Sequence, residues 1–473
     1  MSSVASIFQV ILLIFVVVMG FNLIIFVHEL GHFLAAKWRG LQIDRFQIWF
    51  GSPIWKKTIG GVQYGLGWIP AGGFVALPQM APMEALEGGA KDGAKPLPPI
   101  TPLDKIIVAF AGPLFSMLLA LVSAVFVWQI GKPADFIPTQ VIGTVLEDGP
   151  AAKAGIQVGD KILSINGNPV KGFAGSLDSI TESIILSKGK QIEFTIERPG
   201  SAEPMKVISQ FETEKTKWFQ RGGLRQVGIG PEIDHIAIGS VVEGSPAEKV
   251  GFKAGDALVS MNGEKYKEDT EAVVKYIKAN GTKQIDFEII RDGKPLKLTA
   301  APVVPLAPAG SGPMLGLAFQ EVPYQQQGII HPGPLKQVGD SLRMMWTTIT
   351  SVVAKDSSIG VGHLSGPVGI ATLQYQLLQM EDGWRRILAF MVLFNVNLAV
   401  LNMMPFPVLD GGHIVLAILE KIFGRPVKAK PLEILQTACA LALISLMLFV
   451  TSKDIGDKFG HGDDREKVVF PAN

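Results

Sequence analysis

The sequence predicts a polytopic α-helical membrane protein with four transmembrane helices and a large duplicated α+β insert. Three observations support this fold class: four apolar runs near bilayer length, a gapless internal repeat, and a hydrophobic content of 48% with a mean hydropathy of +0.33. The net charge of +1 argues against a nucleic-acid partner. A single cysteine, Cys439, leaves no possibility of an internal disulfide.

The predicted transmembrane segments lie toward the two ends of the chain. The first contains an apolar run at 7–27 without a basic segment before it, so we expect a retained helix rather than a cleaved signal. Pro405 and Pro407 cannot continue a regular helix, and the third segment is therefore expected to unwind at its end. We predict transmembrane helices at residues 1–36, 106–130, 387–413 and 432–452.

Basic residues predict the orientation of these segments. Lysines and arginines are concentrated in residues 37–105 and in the short connection before the fourth helix, whereas residues 1–6 carry none. Basic loops stay on the cytoplasmic side of a membrane. The insert between the second and third helices is therefore expected on the outer side, although Arg385 and Arg386 give a contrary signal.

The first transmembrane segment runs into the pentapeptide His28-Glu-Leu-Gly-His32. Histidines four residues apart lie on one face of a helix, where both imidazoles can reach one metal ion. Glu29 can act as general base toward a water molecule at that metal. Isolated matches to this pattern are often solvated helix faces or core histidines, but ionisable groups beside a membrane span are costly and are usually functional. The pattern therefore favours a hydrolytic metal site at the edge of a bilayer.

The insert contains two copies of one sequence unit. Residues 142–167 align without gaps with residues 238–263, and 13 of the 26 positions are identical. Each copy predicts a strand, a short helix opened by Pro-Ala, a second strand after Gly-Asp, and a hairpin closed by Asn-Gly. We place the two α+β units at 131–225 and 226–322. They resemble the PDZ domains of bacterial envelope proteases, although a duplicated spacer without a ligand remains an alternative.

Two connecting segments complete the domain organisation. Residues 78–102 are rich in proline, glycine and alanine and predict a cytoplasmic loop. Residues 323–386 form a predicted amphipathic linker, because Leu342, Trp346 and Val353 recur at helical spacing.

A third metal ligand is predicted at the far end of the chain. A catalytic zinc usually has three protein ligands, and the pentapeptide supplies only two. Asp410 lies at the end of the third apolar run, next to Gly411 and Gly412. Unwound backbone at membrane depth is tolerated where it lines a wet cavity or is buried in protein. We therefore expect Asp410 to complete the site, although a simple turn residue is the alternative.

These motifs together resemble the site-2 protease family of intramembrane metalloproteases. The resemblance rests on His28-Glu-Leu-Gly-His32, Asn402-Met-Met-Pro405 and Leu409-Asp-Gly411, in this order around a tandem insert. It implies that His28, His32 and Asp410 hold zinc and that Glu29 is the catalytic residue. Asn402 and Asn397 match asparagines that bind substrate. His413 lies nearby, but an open coordination position for water argues against a fourth protein ligand.

The resemblance also gives the glycine-rich stretch 58–77 a role. It suggests a re-entrant β-hairpin that dips into the membrane, where an edge strand could pair with an unwound substrate. An interfacial loop that only packs on the first helix is the open alternative.

The expected function is an intramembrane zinc endopeptidase of the bacterial inner membrane that cleaves single-span membrane proteins. Anti-sigma-factor-like substrates and remnant signal peptides are the implied partners together with membrane lipid, and the tandem units would gate substrate access. The active site is expected toward the cytoplasm and the tandem units in the periplasm. Two alternatives are a PDZ scaffold with a structural metal and an anchored protease that cuts soluble loops.

Overall fold

The computed structural model describes residues 3–80, 100–214, 216–266, 270–308, 310–324, 328–424, 429–460 and 468–471. Most of the loop predicted at 78–102 therefore lies outside the described residues. The chain divides into two compact units. The helical unit comprises Met1–Pro133, Gly328–Thr350 and Val361–Ile455, and the insert unit comprises Ala134–Gln327, Ser351–Gly360 and Gly456–Asn473.

The described helices range from one-turn segments in the insert to long apolar rods. They are α1 (Ser3–Arg39), α2 (Pro102–Ile130), α3 (Pro150–Lys153), α4 (Ile180–Leu186), α5 (Pro246–Val250), α6 (Thr270–Ala279), α7 (Pro334–Val353), α8 (Pro367–Gln379), α9 (Gly383–Asn402), α10 (Asp410–Phe423) and α11 (Ala429–Gly460).

The described strands are mostly short, apart from the first pair. They are β1 (Arg45–Ile59), β2 (Val62–Ala76), β3 (Lys132–Pro133), β4 (Ile142–Val145), β5 (Lys161–Ile165), β6 (Asn168–Pro169), β7 (Gln191–Glu197), β8 (Met205–Gln210), β9 (Glu212–Thr213), β10 (Arg225–Gln226), β11 (Ile229–Pro231), β12 (Ile233–Val241), β13 (Ala257–Met261), β14 (Glu264–Lys265), β15 (Ile285–Arg291), β16 (Lys294–Ala300), β17 (Leu317–Pro323) and β18 (Ile329–Ile330).

Four helices are long and apolar enough to cross a membrane. They contain the stretches Ile11–Arg39, Pro102–Ile130, Gly383–Asn402 and Lys430–Lys458. The segment predicted at 387–413 unwinds near Pro405 and Pro407, as expected, and two helices flank this turn: α9 ends at Asn402, and α10 begins at Asp410. Proline lacks the N–H that would extend α9 through positions 405 and 407.

Helices α1 and α2 pack closely through small residues. A side chain at Gly31 would place its Cβ 2.4 Å from the carbonyl oxygen of Ala111 in α2, so only glycine permits this approach. The buried residues of α2 include a row at every fourth position that is mostly small: Val108, Gly112, Ser116, Ala120 and Ala124. Small residues at this spacing let helix backbones approach in apolar surroundings.

Strands β1 and β2 fold into a four-segment antiparallel sheet. Phe46 pairs with both Tyr64 and Val75, and Tyr64 also pairs with Lys57. The segments therefore lie in the order 55–59, 62–66, 45–48, 73–76. The sheet begins at Arg45, well before the range 58–77 predicted from glycine content, because the first segment is apolar rather than glycine-rich. Its insertion into a membrane stays a prediction.

The two copies in the insert unit have the same order of elements. Each has a first strand, a short helix opened by proline, and a second strand that continues into a tight hairpin. Asn166 and Gly167 both adopt positive φ, as do Asn262 and Gly263, which confirms the primed turn predicted from Asn-Gly. Equivalent side chains fill the two cores, with Phe194 and Phe287 both almost fully buried.

The boundary predicted between the copies, at 225 and 226, is wrong by about one strand. Strand β11, Ile229–Pro231, pairs with β4 of the first copy, and Val227 belongs to the core of that copy. The second copy is closed in the same way, because β17 pairs with β12. The closing strand is far in sequence from its partner, so the repeat alignment did not reveal it.

The segment after the insert begins with a short ribbon and continues into α7. Ile329 and Ile330 of β18 pair with Pro133 and Lys132 of β3, so the chain leaves the insert beside the point where it enters. In α7, Met345 is buried whereas Trp346 is 70% exposed, as expected for an amphipathic helix.

Candidate active site

His28 and His32 lie on consecutive turns of α1 and face α2. Their Nε2 atoms are 3.3 Å apart, and both residues are at least nine-tenths buried. At this distance the two Nε2 atoms can either share one proton in a hydrogen bond or bind one metal ion between them.

Asp410 reaches the histidines from the first residue of α10. Its Oδ2 lies 3.3 Å from Nε2 of His28, and its Oδ1 lies 3.4 Å from Nε2 of His32. Gly411 and Gly412 make this position possible, since a Cβ at either would lie within 2.2 Å of a carbonyl oxygen in the preceding turn. The two glycines therefore let the start of α10 pack tightly against the preceding turn. This packing brings the carboxylate of Asp410 toward α1.

The three side chains fit a tetrahedral metal ion. Ligand atoms at metal distances of about 2.0–2.1 Å lie about 3.3–3.4 Å apart on the edges of a tetrahedron. The ligand atoms of His28, His32 and Asp410 lie within 4.8 Å of one another, with the closest approaches at 3.3–3.4 Å. Oδ2 of Asp410 is buried and has no hydrogen-bond donor among the described residues, so a cation would satisfy it.

Gly112 leaves the space that this site needs. A Cβ at that position would lie 2.2 Å from Nε2 of His32 and 2.9 Å from Cε1 of His28. Any larger residue would therefore push the two imidazoles out of their positions.

The outer ring nitrogens of both histidines have partners on α2. Nδ1 of His32 lies 2.8 Å from the carbonyl oxygen of Val108, and Nδ1 of His28 lies 3.0 Å from Oγ of Ser116. A carbonyl can only accept, so Nδ1 of His32 must carry the proton, and its Nε2 presents a lone pair.

A cavity of about 290 Å³ opens beside the three candidate ligands. Glu29, Asn402 and His413 line it together with residues 73–76 of the sheet and Leu77 after it. A Cβ at Gly73 would lie 3.4 Å from Cγ of Glu29, so the edge segment passes directly beside this carboxylate. The cavity thus holds a candidate metal site, a carboxylate and an exposed strand edge.

The structure separates the two asparagines of the predicted substrate site. Asn402, the last residue of α9, lines the cavity, whereas Asn397 does not. Oδ1 of Asn397 is buried and has no hydrogen-bond partner within the described part of the chain. A role of Asn397 in substrate binding stays a prediction.

Sequence reasoning missed the contributions of α2. Val108, Gly112 and Ser116 all touch the histidines, but the apolar character of α2 marked it only as a transmembrane helix. The repeat of small residues every four positions was the available signal, since it identifies the face that packs on another helix.

Ion pairs join the helices that carry the site at one end. Arg39 Nε, at the end of α1, lies 2.6 Å from Oδ1 of Asp104 in α2. The next residue, Lys105, lies 2.6 Å from Oε2 of Glu420 in α10. The helix of the histidines and the helix of Asp410 are thus both tied to the first turn of α2.

Comparisons with known proteins agree along almost the whole chain. A family model described as Peptidase family M50 matches residues 15–446. Protease RseP of Yersinia pestis is 30% identical over 447 residues, which cover 92% of this chain and 95% of that protein. A putative zinc metalloprotease of Ralstonia nicotianae is 28% identical and covers 91% of this chain and 96% of that protein.

A further relative and one solved structure add detail. Regulator of sigma-E protease RseP of Escherichia coli K12 is 26% identical over 459 residues, with 92% of this chain and 95% of that protein covered. The PDZ domain of the SdrC-like protein of Listeria monocytogenes matches 18% of this chain and 87% of its own chain at 17% identity. Its TM-score of 0.17 is too low to support an argument about the fold.

Proposed function

Because the chain belongs to peptidase family M50, the site-2 protease family, we propose that it is a zinc endopeptidase that cleaves single-span membrane proteins within the membrane. The observation that carries this proposal is the convergence of His28, His32 and Asp410 beside Glu29, on or next to helices of membrane-spanning length. A hydrolytic site at that location can act on bonds that a bilayer shields from soluble proteases.

The candidate residues divide the chemistry among them. His28, His32 and Asp410 would hold zinc, and the ion when bound supplies the Lewis acidity that activates a water molecule near neutral pH. Glu29 takes the proton from that water and delivers it to the leaving amine. The amide of Asn402 faces the same cavity and is suited to hold the substrate carbonyl and to offset its developing negative charge.

The edge of the sheet is suited to present the substrate. Backbone groups of a helical substrate are already hydrogen-bonded, so cleavage requires local unwinding and new partners for the freed groups. Residues 73–76 pair with residues 45–48 on one side, and within the described residues no strand pairs with their other side. We assign this edge to strand addition, which would lay the unwound segment beside Glu29.

The tandem units are assigned to substrate selection. A cavity of about 1340 Å³ in the insert unit is lined by both copies, including Ile184 of the first and Glu321 of the second. The chain enters and leaves residues 134–327, which contain both copies, through the paired strands β3 and β18. Such an insert can exclude substrates with bulky external domains.

The proposed location is the bacterial inner membrane, with the tandem units in the periplasm and the active site toward the cytoplasm. The distribution of basic residues supports this orientation. The name of the Escherichia coli relative, Regulator of sigma-E protease, supports anti-sigma-factor-like substrates and a role in the envelope stress response. Remnant signal peptides are a second substrate class with the same single-span architecture.

The decisive test compares the wild type with Glu29→Gln on a single-span reporter in proteoliposomes. The amide keeps the shape of the side chain but cannot take a proton, so we expect at least about a 100-fold loss of cleavage. Zinc content, measured by elemental analysis, should stay near that of the wild type. Undiminished cleavage would refute the assignment of Glu29, and peptide binding without any turnover by the wild type would favour a scaffold instead.

A further inference from the structure

Ser116 is a fully buried hydroxyl in an otherwise apolar stretch of α2. A serine in such a helix commonly bonds to the carbonyl four residues before it. Here its Oγ lies 3.0 Å from Nδ1 of His28 on the neighbouring helix. The contact connects α2 directly to one of the three candidate zinc ligands.

The two candidate histidine ligands are held differently. His32 faces the carbonyl oxygen of Val108, which fixes its proton on Nδ1 whether or not a metal is present. His28 faces a hydroxyl, which can either donate or accept. Only acceptance by Oγ places the imidazole proton on Nδ1 and leaves the lone pair of Nε2 for zinc.

We infer that Ser116 is a positioning residue for zinc: its hydroxyl accepts the Nδ1–H of His28 and aims Nε2 of that ring at the metal. The inference rests on the proposed function, since it deepens the role of His28 in that site. Ser116 is not a zinc ligand, because it lies behind the imidazole and bonds to the ring nitrogen that faces away from the site.

The hydroxyl suits this task better than an apolar group of similar size. An imidazole that lacks a partner for Nδ1–H in a buried site would lose a hydrogen bond and its fixed orientation. A hydroxyl that accepts from Nδ1–H still has its own proton to donate, so acceptance costs Ser116 no donor. Loss of the hydrogen-bond partner of a metal-bound histidine typically weakens metal binding about 10- to 100-fold.

The test measures zinc affinity directly rather than activity. Full-length wild type, Ser116→Ala and Ser116→Cys are depleted of zinc in detergent and titrated with Zn²⁺ against a chromophoric chelator. Both variants should bind zinc about 10- to 100-fold more weakly than the wild type, since cysteine keeps the shape but is a poor acceptor. Co²⁺-loaded protein should show an altered visible absorption spectrum in both variants.

Ser123→Ala is the matched control. Ser123 is also a buried serine of α2, but it lies about two turns beyond Ser116 and away from the histidines. Its loss should leave zinc affinity within about twofold of the wild type, although it removes a buried hydroxyl from the same helix. The thermal stability of the zinc-depleted Ser116→Ala protein should match that of this control.

Zinc binding of Ser116→Ala at wild-type affinity would overturn the inference. If neither Ser116 variant folds, an NMR spectrum of the zinc-loaded wild type labelled with ¹⁵N-histidine tests the inference instead. We expect this spectrum to show a protonated Nδ1 at His28. Coordination of His28 through Nδ1 would overturn the inference as well. A wild type that takes up no zinc would instead refute the proposed function, so the two failures are distinguishable.

Discussion

Lys105 Nζ lies 2.6 Å from Oε2 of Glu420, and this ion pair ties the first turn of α2 to the helix that begins with Asp410. Both side chains are about three-quarters buried. Because α2 also carries Val108 and Gly112, the pair connects the helix that begins with Asp410 to the helix that contacts the two histidines.

Reversal of one charge in this pair should therefore disturb the site. We expect Lys105→Glu to destabilise the protein by about 1–3 kcal/mol, because two carboxylates would then face each other in a partly buried place. Zinc affinity should fall in parallel. Thermal unfolding in detergent and zinc titration provide the measurements.

The double variant Lys105→Glu with Glu420→Lys is the matched control, since it restores an attractive pair. It should recover most of the lost stability and zinc affinity. Equal loss in the single and double variants would show that the pair does not position α10.

Substitution of Gly112 by alanine should abolish zinc binding. The added Cβ would lie 2.2 Å from Nε2 of His32, which is far below van der Waals contact. The expected result is a protein with little zinc and no cleavage of the single-span reporter, measured by elemental analysis and by a proteoliposome assay. Gly20→Ala in α1 serves as the control, because a Cβ there meets no atom within 4 Å. A zinc-replete Gly112→Ala protein would contradict the proposed site.

Gly73→Val should impair substrate handling without loss of zinc. A Cβ at this position already lies 3.2 Å from Ile25 and 3.4 Å from Glu29, so the larger side chain would displace the edge strand. We expect kcat/KM for the reporter to fall about 10- to 100-fold, because small misplacements of a bound substrate are costly. Gly73→Ala should have an intermediate effect. Loss of zinc in Gly73→Val would show that the strand supports the metal site rather than the substrate.

The insert unit should lose stability at low pH through two equivalent ion pairs. Burial alone would raise the pKa of Asp160 and Asp256, but bidentate hydrogen bonds from Arg198 and Arg291 outweigh it and hold each pKa below its usual range. A carboxylate with a lowered folded-state pKa stabilises the fold above its unfolded pKa of about 3.9 and loses this contribution as the pH falls through the folded value.

Hydrogen exchange of β5 and β13 in the full-length protein, from pH 7 down to pH 3, is the corresponding measurement. Asp256→Asn should cost about 3 kcal/mol at pH 7, because it leaves the partly buried Arg291 without its charged partner. The same substitution should also make the rate of hydrogen exchange in β13 depend less on pH. Glu193→Gln removes an exposed pair with Lys206 and should change little. If hydrogen exchange of β13 in Asp256→Asn depends on pH as it does in the wild type, the Asp256–Arg291 pair does not cause the loss of stability at low pH.

Much of the fold could be predicted because its signals are local. The apolar runs predicted four helices of membrane-spanning length, and Asn-Gly at 166–167 and 262–263 predicted hairpin turns that the backbone adopts. The histidine spacing in α1 predicted that both Nε2 atoms meet, since residues four apart share a helix face.

Other features depended on contacts between distant segments. The closing strand Ile229–Pro231 and the four-segment sheet both arise from pairing between segments that are separate in the sequence. A sequence pattern indicates whether one segment is buried or exposed. It does not indicate which distant segment packs against it or pairs with it.

The sequence by itself determined which groups are available for chemistry: His28, Glu29, His32 and Asp410, each in or beside an apolar run. Only the tertiary structure decided how they are held. Helix α2 supplies the Val108 carbonyl, the space at Gly112 and the Ser116 hydroxyl because its small residues allow α1 to approach. The physical reason is that ligand identity is a local chemical property, whereas ligand orientation depends on hydrogen bonds and close contacts between helices that the sequence keeps far apart.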